Sequence, residues 1–208
     1  MTGTIGVLAL QGAFAEHIEM LRSLGVPSRE VRTTADLDGV QAVIIPGGES
    51  TTIGKLLRIG GLDAAIRDRA EAGMPVWGTC AGMILLGRDV GDSGSTVGEP
   101  QPLLGLMDIR VRRNAFGSQL ESFETRLDAP EVADAPIPAV FIRAPVVEEA
   151  GPDVVVLAAL ADGRPVAVRQ GALLATAFHP ELTGDVSFHR YFAGMVASAK
   201  GMSEVSAH

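Results

Sequence analysis

The sequence predicts an α/β fold, with a mostly parallel central sheet flanked by helices and antiparallel strands added in the second half. Three observations predict it. Short runs rich in Val, Ile and Leu, without clear polar alternation, recur through the first half, as strands covered on both faces require. Segments of helical spacing separate them, the alternation that builds a parallel sheet. Beyond residue 103 the apolar segments become shorter and β-like, and no helical pattern returns until the C-terminal stretch.

The elements follow in order. Residues 5–10 form the first apolar strand, Gln11-Gly12 turns the chain, and Phe14, Ile18, Leu21 and Leu24 mark a helix that stops at Gly25. Residues 40–45 form a second buried strand, which ends abruptly at Pro46-Gly47-Gly48. Helices over 51–59 and 62–72 are divided by Gly60-Gly61. A strand at 75–77 then leads into Gly78-Thr79-Cys80-Ala81-Gly82 and an apolar helix-forming stretch. Residues 89–103, rich in Gly, Asp, Ser and Pro, predict a loop. Shorter strands are expected at 109–112, 139–142, 154–160, 165–169 and 173–178. A last helix over 185–199 has Val186, Phe188, Phe192 and Val196 among its apolar positions, and a tail starts at about residue 200. With no internal repeat and an even spread of apolar segments, the 208 residues are expected to form one domain, 1–208.

Composition excludes several function classes. The longest evident apolar run, residues 154–161, has eight residues, far short of a membrane span. The N-terminus lacks the pattern of a secretory signal, so a soluble, cytoplasmic protein is expected. A single cysteine makes no intramolecular disulfide, and no Cys/His spacing suits a structural zinc. Neither a metal nor a cofactor is expected. A net charge of −8 without a Lys/Arg run argues against nucleic acid as the main partner.

Ligands of open α/β sheets bind where strands end and loops lead into helices. Three loops qualify: Gln11-Gly12, the stretch from Gly47 through Gly48 and Glu49 to Ser50, and Cys80. A lone cysteine is commonly an inert core residue. Gly78 and Gly82, placed two residues to either side, instead suit a strained strand-to-helix elbow that lifts Cys80 toward a helix N-terminus, where a thiolate is favoured. Of the four histidines, His17, His189 and His208 have ordinary surface or helix-face readings. His179 ends an apolar strand in Ala177-Phe178-His179-Pro180-Glu181, and the proline biases it toward an extended conformation. In extended chain, residues i and i+2 share a side, so Glu181 can orient the imidazole. Cys80, His179 and Glu181 thus form a triad by role. The N–H of Ala81 and the bare backbone at Gly47-Gly48 are candidate oxyanion donors. A phosphate-binding loop does not fit, because five residues rather than four separate Gly48 from Gly54, and Lys55 is followed by Leu56. No complete G-x-G-x-x-G follows the first strand either.

These residues carry a family resemblance. LALQGAFAEH (8–17), PGGESTT (46–52), GTCAGMILL (78–86), RRNAFGSQLESFE (112–124), FIRAP (141–145) and AFHPELTGD (177–185) occur in order. Together they resemble the glutaminase subunits of ribose 5-phosphate-dependent pyridoxal 5′-phosphate synthases, within the class I glutamine amidotransferases. The resemblance implies that family's three-layer fold and hydrolysis of L-glutamine to glutamate and ammonia. It implies that Cys80 forms a glutamyl thioester, that His179 protonates ammonia and then activates water, and that Glu181 holds His179. Gly48 and Ala81 would supply the oxyanion donors. The backbone of Gly47, Gly48 and Glu49, the Arg113 side chain and the Ile142-Arg143 pair would hold glutamine. A guanidinium suits the substrate carboxylate; from spacing alone, Arg113 and Arg143 read as ordinary solvated strand charges. The implied partner is a (β/α)8-barrel synthase subunit that consumes the ammonia while assembling pyridoxal phosphate from ribose 5-phosphate and glyceraldehyde 3-phosphate. Its docking would switch the glutaminase on, with the Gln11-Gly12 loop near the active site and interface. Neither nucleic acid nor membrane is implied. Ser118 departs from the family pattern, in which arginine is expected. Two other classes stay open: a stand-alone cysteine hydrolase of peptides or esters, and a non-catalytic binding protein with a structural cysteine.

Overall fold

The computed structural model describes residues 3–91, 101–115 and 122–206, beginning with a strand buried along its whole length. β1 (Ile5–Leu8) is followed by α1 (Phe14–Ser23), β2 (Ser28–Val31), a 3₁₀ turn (Thr34–Leu37) and β3 (Ala42–Ile45). α2 (Ser50–Ile59) and α3 (Leu62–Glu71) come next. The glycine pair sits at their junction as expected, and Gly61 takes the left-handed φ of 68° that few other residues tolerate. β4 (Val76–Thr79) leads through Cys80 into α4 (Ala81–Leu86). The second half holds β5 (Gly87–Gly91), β6 (Met107–Arg112), β7 (Ser122–Leu127), β8 (Ile137–Ile142), β9 (Val146–Ala150), β10 (Val155–Ala159), β11 (Pro165–Gln170) and β12 (Leu173–Thr176). A 3₁₀ turn (Pro180–Leu182) and α5 (Ser187–Ser206) complete the chain.

A seven-stranded sheet runs in the order β10-β11-β12-β4-β3-β1-β2. From β12 to β2 its pairs are parallel, and β10-β11-β12 is antiparallel. This is the mostly parallel sheet with antiparallel additions that the apolar runs predict. Two small sheets, β5-β6-β9 and β7-β8, lie beside it. Successive residues of a strand face opposite sides, so β4 displays both packing layers. Trp77, fully buried, packs on Phe188, Phe192 and His189 of α5 and on His17 of α1. Gly78 faces α4 so closely that an added Cβ would stand 2.4 Å from the Gly82 backbone. Helices thus cover both faces, giving three layers.

Five elements depart from the sequence reading. β2, with the sequence SREV, buries only Val31 and has no apolar run because it is the sheet edge. β7 and β9 are likewise additions; β7 alternates exposed and half-buried residues, and β9 ends in exposed Glu148, Glu149 and Ala150. β5 occupies the start of the segment read as a loop, pairing with β6. α5 continues to Ser206, past the tail expected from about residue 200. A single Gly201 costs a helix only about 1 kcal/mol and does not end it. Among the described residues, no helix is long and apolar enough to cross a membrane.

Candidate active site

The sheet order brings four loops to one edge. β12, β4, β3 and β1 are adjacent and parallel, and at their carboxyl ends lie His179, Cys80, Gly47-Gly48 and Gln11-Gly12 respectively. Residues 11, 47, 80 and 179 are distant in sequence, yet strand register alone makes them neighbours.

Cys80 has φ 48° and ψ −101°, a conformation that costs a non-glycine residue about 1–3 kcal/mol. Its N–H donates to the Thr176 carbonyl of β12 at 2.8 Å, fixing the elbow against the neighbouring strand. The flanking glycines are required sterically. A Cβ on Gly82 would stand 2.1 Å from the Ile45 carbonyl oxygen, where no side chain can give way. Cys80 is 7 % exposed, and its Sγ lies 3.9 Å from the Ile142 carbonyl oxygen.

His179 is 8 % exposed, and its backbone N–H donates to the Val140 carbonyl of β8. Nδ1 lies 2.8 Å from Oε1 of the fully buried Glu181 carboxylate. Glu181 lies in the 3₁₀ turn rather than in extended chain, so the two meet by a route other than strand alternation. Burial works against a charged ring here. Hydrogen bonds and charge from Cys80 and Glu181 outweigh it and raise the His179 pKa to about 10. Gly47 sits against this pair, since an added Cβ would lie 2.3 Å from His179 Cε1 and 3.4 Å from Cys80 Cβ.

The glycine loop is tied on both sides. Glu49 caps α2, accepting from the Thr51 and Thr52 N–H groups. Although partial burial opposes its charge, the hydrogen bonds from Thr52 and Thr51 hold its pKa at about 2. The Glu49 N–H donates to Gln11 Oε1 at 2.8 Å, and the Ala13 N–H donates to the Gly47 carbonyl at 3.2 Å. Gly12, at φ 96°, approaches so closely that a Cβ would overlap the Gly47 oxygen. Arg113 at the end of β6 reaches the same loop, with Nη2 3.5 Å from Glu49 Oε1 and Nη1 3.1 Å from Gln101 Oε1. Arg143, following exposed Ile142, has φ 44°. Cys80, Ala81, His179 and Glu181, with Gly47, Gly48, Glu49, Arg113, Ile142 and Arg143, are thus drawn to one end of the fold. Ser118 and His208 lie outside the described residues.

Two histidines read as ordinary surface or helix-face residues lie on helix faces that are fully buried. His17 and His189 are both 0 % exposed, and they stand behind Glu181 with Thr79 and Trp77. Periodicity could have found them. His17 falls on the stripe of Phe14, Ile18 and Leu21, and His189 lies three residues before Phe192 and seven before Val196. Among the described residues, no group of three His, Cys, Asp or Glu side chains could hold a metal ion.

Known proteins resemble this chain in sequence and fold. The chain is 59 % identical over 192 residues to the pyridoxal 5′-phosphate synthase subunit PdxT of Herpetosiphon aurantiacus, covering 92 % of this chain and 100 % of that one. It is 55 % identical to the subunit of the same name from Moorella thermoacetica, covering 92 % and 98 %. A crystal structure of a glutamine amidotransferase superposes with TM-score 0.85 at 50 % identity, covering 94 % of this chain and all of the other. A putative GMP synthase component from Thermoplasma acidophilum, 17 % identical with TM-score 0.67 and covering 98 % of each chain, shares the fold alone. The model of the SNO glutamine amidotransferase family matches residues 7–198. The chain therefore belongs to the SNO glutamine amidotransferase family.

Proposed function

We propose that the protein hydrolyses L-glutamine to L-glutamate and ammonia and delivers the ammonia to a pyridoxal 5′-phosphate synthase partner. The observation that carries this reading is the buried pair of His179 and Glu181, 2.8 Å apart, with the ring charged through its contacts with Cys80 and Glu181. Family membership and the names of its relatives select glutamine as substrate over a generic peptide or ester.

In the proposed reaction, the Cys80 thiolate adds to the side-chain amide carbon of glutamine. The developing oxyanion is met by the N–H groups of Gly48 and Ala81. The C–N bond breaks as His179 gives its proton to nitrogen, releasing ammonia and leaving a glutamyl thioester on Cys80. Neutral His179 then takes a proton from water, whose oxygen attacks the thioester. Glutamate leaves and the thiolate–imidazolium pair returns. Glu181 holds the ring in its Nδ1–H tautomer throughout, so that Nε2 does the proton transfer. The backbone at Gly47, Gly48 and Glu49, the Ile142-Arg143 pair and Arg113 hold the amino acid, with a guanidinium on its carboxylate.

Ammonia released into water is protonated and diffuses away, which favours transfer within a complex. The partner in this reading is a (β/α)8-barrel synthase subunit, and no nucleic acid or membrane takes part. Glutamate formation by the purified chain, measured with and without the synthase partner and beside hydrolysis of a generic ester, tests the proposal. Release from glutamine that rises on mixing supports it. Ester hydrolysis without glutamine turnover in either condition contradicts it.

A further inference from the structure

His17, Thr79 and His189 have no part in the reaction proposed above, yet they form the wall behind its carboxylate, and all three are 0 % exposed. His179 occupies Glu181 Oε1. Oε2, equally buried, has no hydrogen bond of ordinary geometry among the described residues. A buried carboxylate oxygen left without a donor is costly. His17 Nε2 lies 3.4 Å from it and 3.2 Å from Thr79 Oγ1, while His17 Nδ1 lies 2.9 Å from His189 Nε2. Such contacts are often long before substrate arrives.

The tautomers follow from this geometry. Burial lowers the His17 pKa well below its ordinary value and holds that of His189 at about 3, so both rings are neutral. One proton lies between them. With the proton on His189 Nε2, His17 Nδ1 accepts it and Nε2–H points at the Glu181 carboxylate. The remaining unpaired atom, His189 Nδ1, is then a lone pair. The opposite arrangement turns a lone pair of His17 toward an anion and leaves a buried N–H on His189 without an acceptor, which is worse on both counts. Trp77 packs edge-on against both rings, with centroids 5.6 Å and 4.9 Å away, and limits their rotation.

Resting on the glutaminase reading, we infer that His17 is a positioning residue: its Nε2–H, in the tautomer fixed by His189, is shared between Thr79 Oγ1 and Glu181 Oε2 and sets the carboxylate in the orientation that aligns His179. Because Ala13, the N-cap of α1, donates to the Gly47 carbonyl one turn earlier, a single helix and its cap brace both the glycine loop and the carboxylate.

The test compares His17→Gln, His17→Asn and His17→Leu in the full chain, mixed with the synthase partner and assayed for glutamate release. A glutamine amide nitrogen reaches the place of Nε2, and an asparagine amide stops at that of Nδ1. The Gln variant rescues kcat to within about threefold of wild type, whereas Asn and Leu lose about 10–100-fold, the range for groups that orient a reacting side chain. KM stays nearly constant, because Glu181 acts on His179 and not on glutamine. Combined with Glu181→Gln, His17→Leu adds no further loss, as expected when one residue acts through the other. Equal kcat for the Gln and Asn variants, or additive losses in the double variant, overturns the inference. Should the variants not fold, nitrogen-15 spectra of the wild-type rings decide: a proton on His17 Nδ1 instead of Nε2 overturns it. Cys80→Ala separates the two levels. Turnover in that variant refutes the glutaminase reading itself, whereas an inactive Cys80→Ala beside a fully active His17→Leu refutes only the role of His17.

Discussion

Nδ1 of His17 lies 2.9 Å from Nε2 of His189, although 172 positions separate them, and both rings are sealed from solvent. Helices α1 and α5 meet there over Trp77. The pair sets an acid limit on stability. In the unfolded chain each ring titrates near about 6.5, but burial keeps both neutral in the fold, His189 down to about 3. The stability they contribute is fully present above pH 6.5 and is lost as pH falls through that value toward the folded pKa. Below about pH 6 the slope is roughly 1.4 kcal/mol per pH unit for each ring. Carboxylates held low, such as Glu49, begin to lose their contribution only below about pH 4.5. Urea midpoints between pH 6 and 5, below the range in which the raised His179 pKa opposes this trend, check it, and His189→Leu should roughly halve the slope. An unchanged slope in that variant contradicts the account.

The His179–Glu181 contact makes a prediction about rate. Glu181→Gln keeps the shape but removes the charge that helps hold the ring at about 10. It should lower kcat by about 10²–10⁴-fold, the range for loss of an orienting carboxylate, with little change in KM. The His179 pKa should fall toward its ordinary value, measurable from ring proton shifts against pH. A ring that still titrates near 10 in this variant shows that Glu181 is not its partner.

Two glycines separate activity from folding. Gly47→Ala places a Cβ 2.3 Å from His179 Cε1, so the ring must move while the surrounding fold is untouched. A displacement of this kind should cost about 100-fold in kcat at nearly wild-type melting temperature. Gly82→Ala drives its Cβ into the Ile45 carbonyl, where only backbone can yield. It should cost about 3 kcal/mol of stability in urea unfolding. Equal effects of both substitutions on activity and stability would refute this division.

Arg113, 3.5 Å from Glu49 and 3.1 Å from Gln101, is placed to exchange these contacts for a substrate carboxylate. Arg113→Ala should raise KM for glutamine about 10–100-fold, the worth of a charge-assisted hydrogen bond, with kcat nearly kept. A variant that loses kcat at constant KM would place Arg113 outside substrate binding.

The legible parts of this sequence are those with two-sided burial. β1 and β3 are runs without a polar side chain, β4 opens on buried Val76 and Trp77, and the glycines around Cys80 mark an elbow whose steric need is local. Strand β2 leaves no signal because an edge strand needs only Val31 inside, and β7 leaves none because half-buried alternation with Glu and Arg resembles a solvated loop. Glu181 is recognisable in the sequence, but for an imperfect reason, since a 3₁₀ turn and not strand alternation turns it to His179. His17 and His189 sit on apolar stripes, where residue type alone suggests a surface position. Polar residues on such a stripe are buried when they can satisfy one another, and that pairing across 172 positions exists only in three dimensions.

The most direct test of the account is the rate of glutamate formation by Cys80→Ala mixed with glutamine and the synthase partner. Removing one sulfur from a 7 % exposed elbow leaves the outer surface intact, so partner binding should persist while glutamate formation drops to background. Turnover at the wild-type rate in that mixture would contradict the assignment of Cys80 as nucleophile, and with it the mechanism built around it.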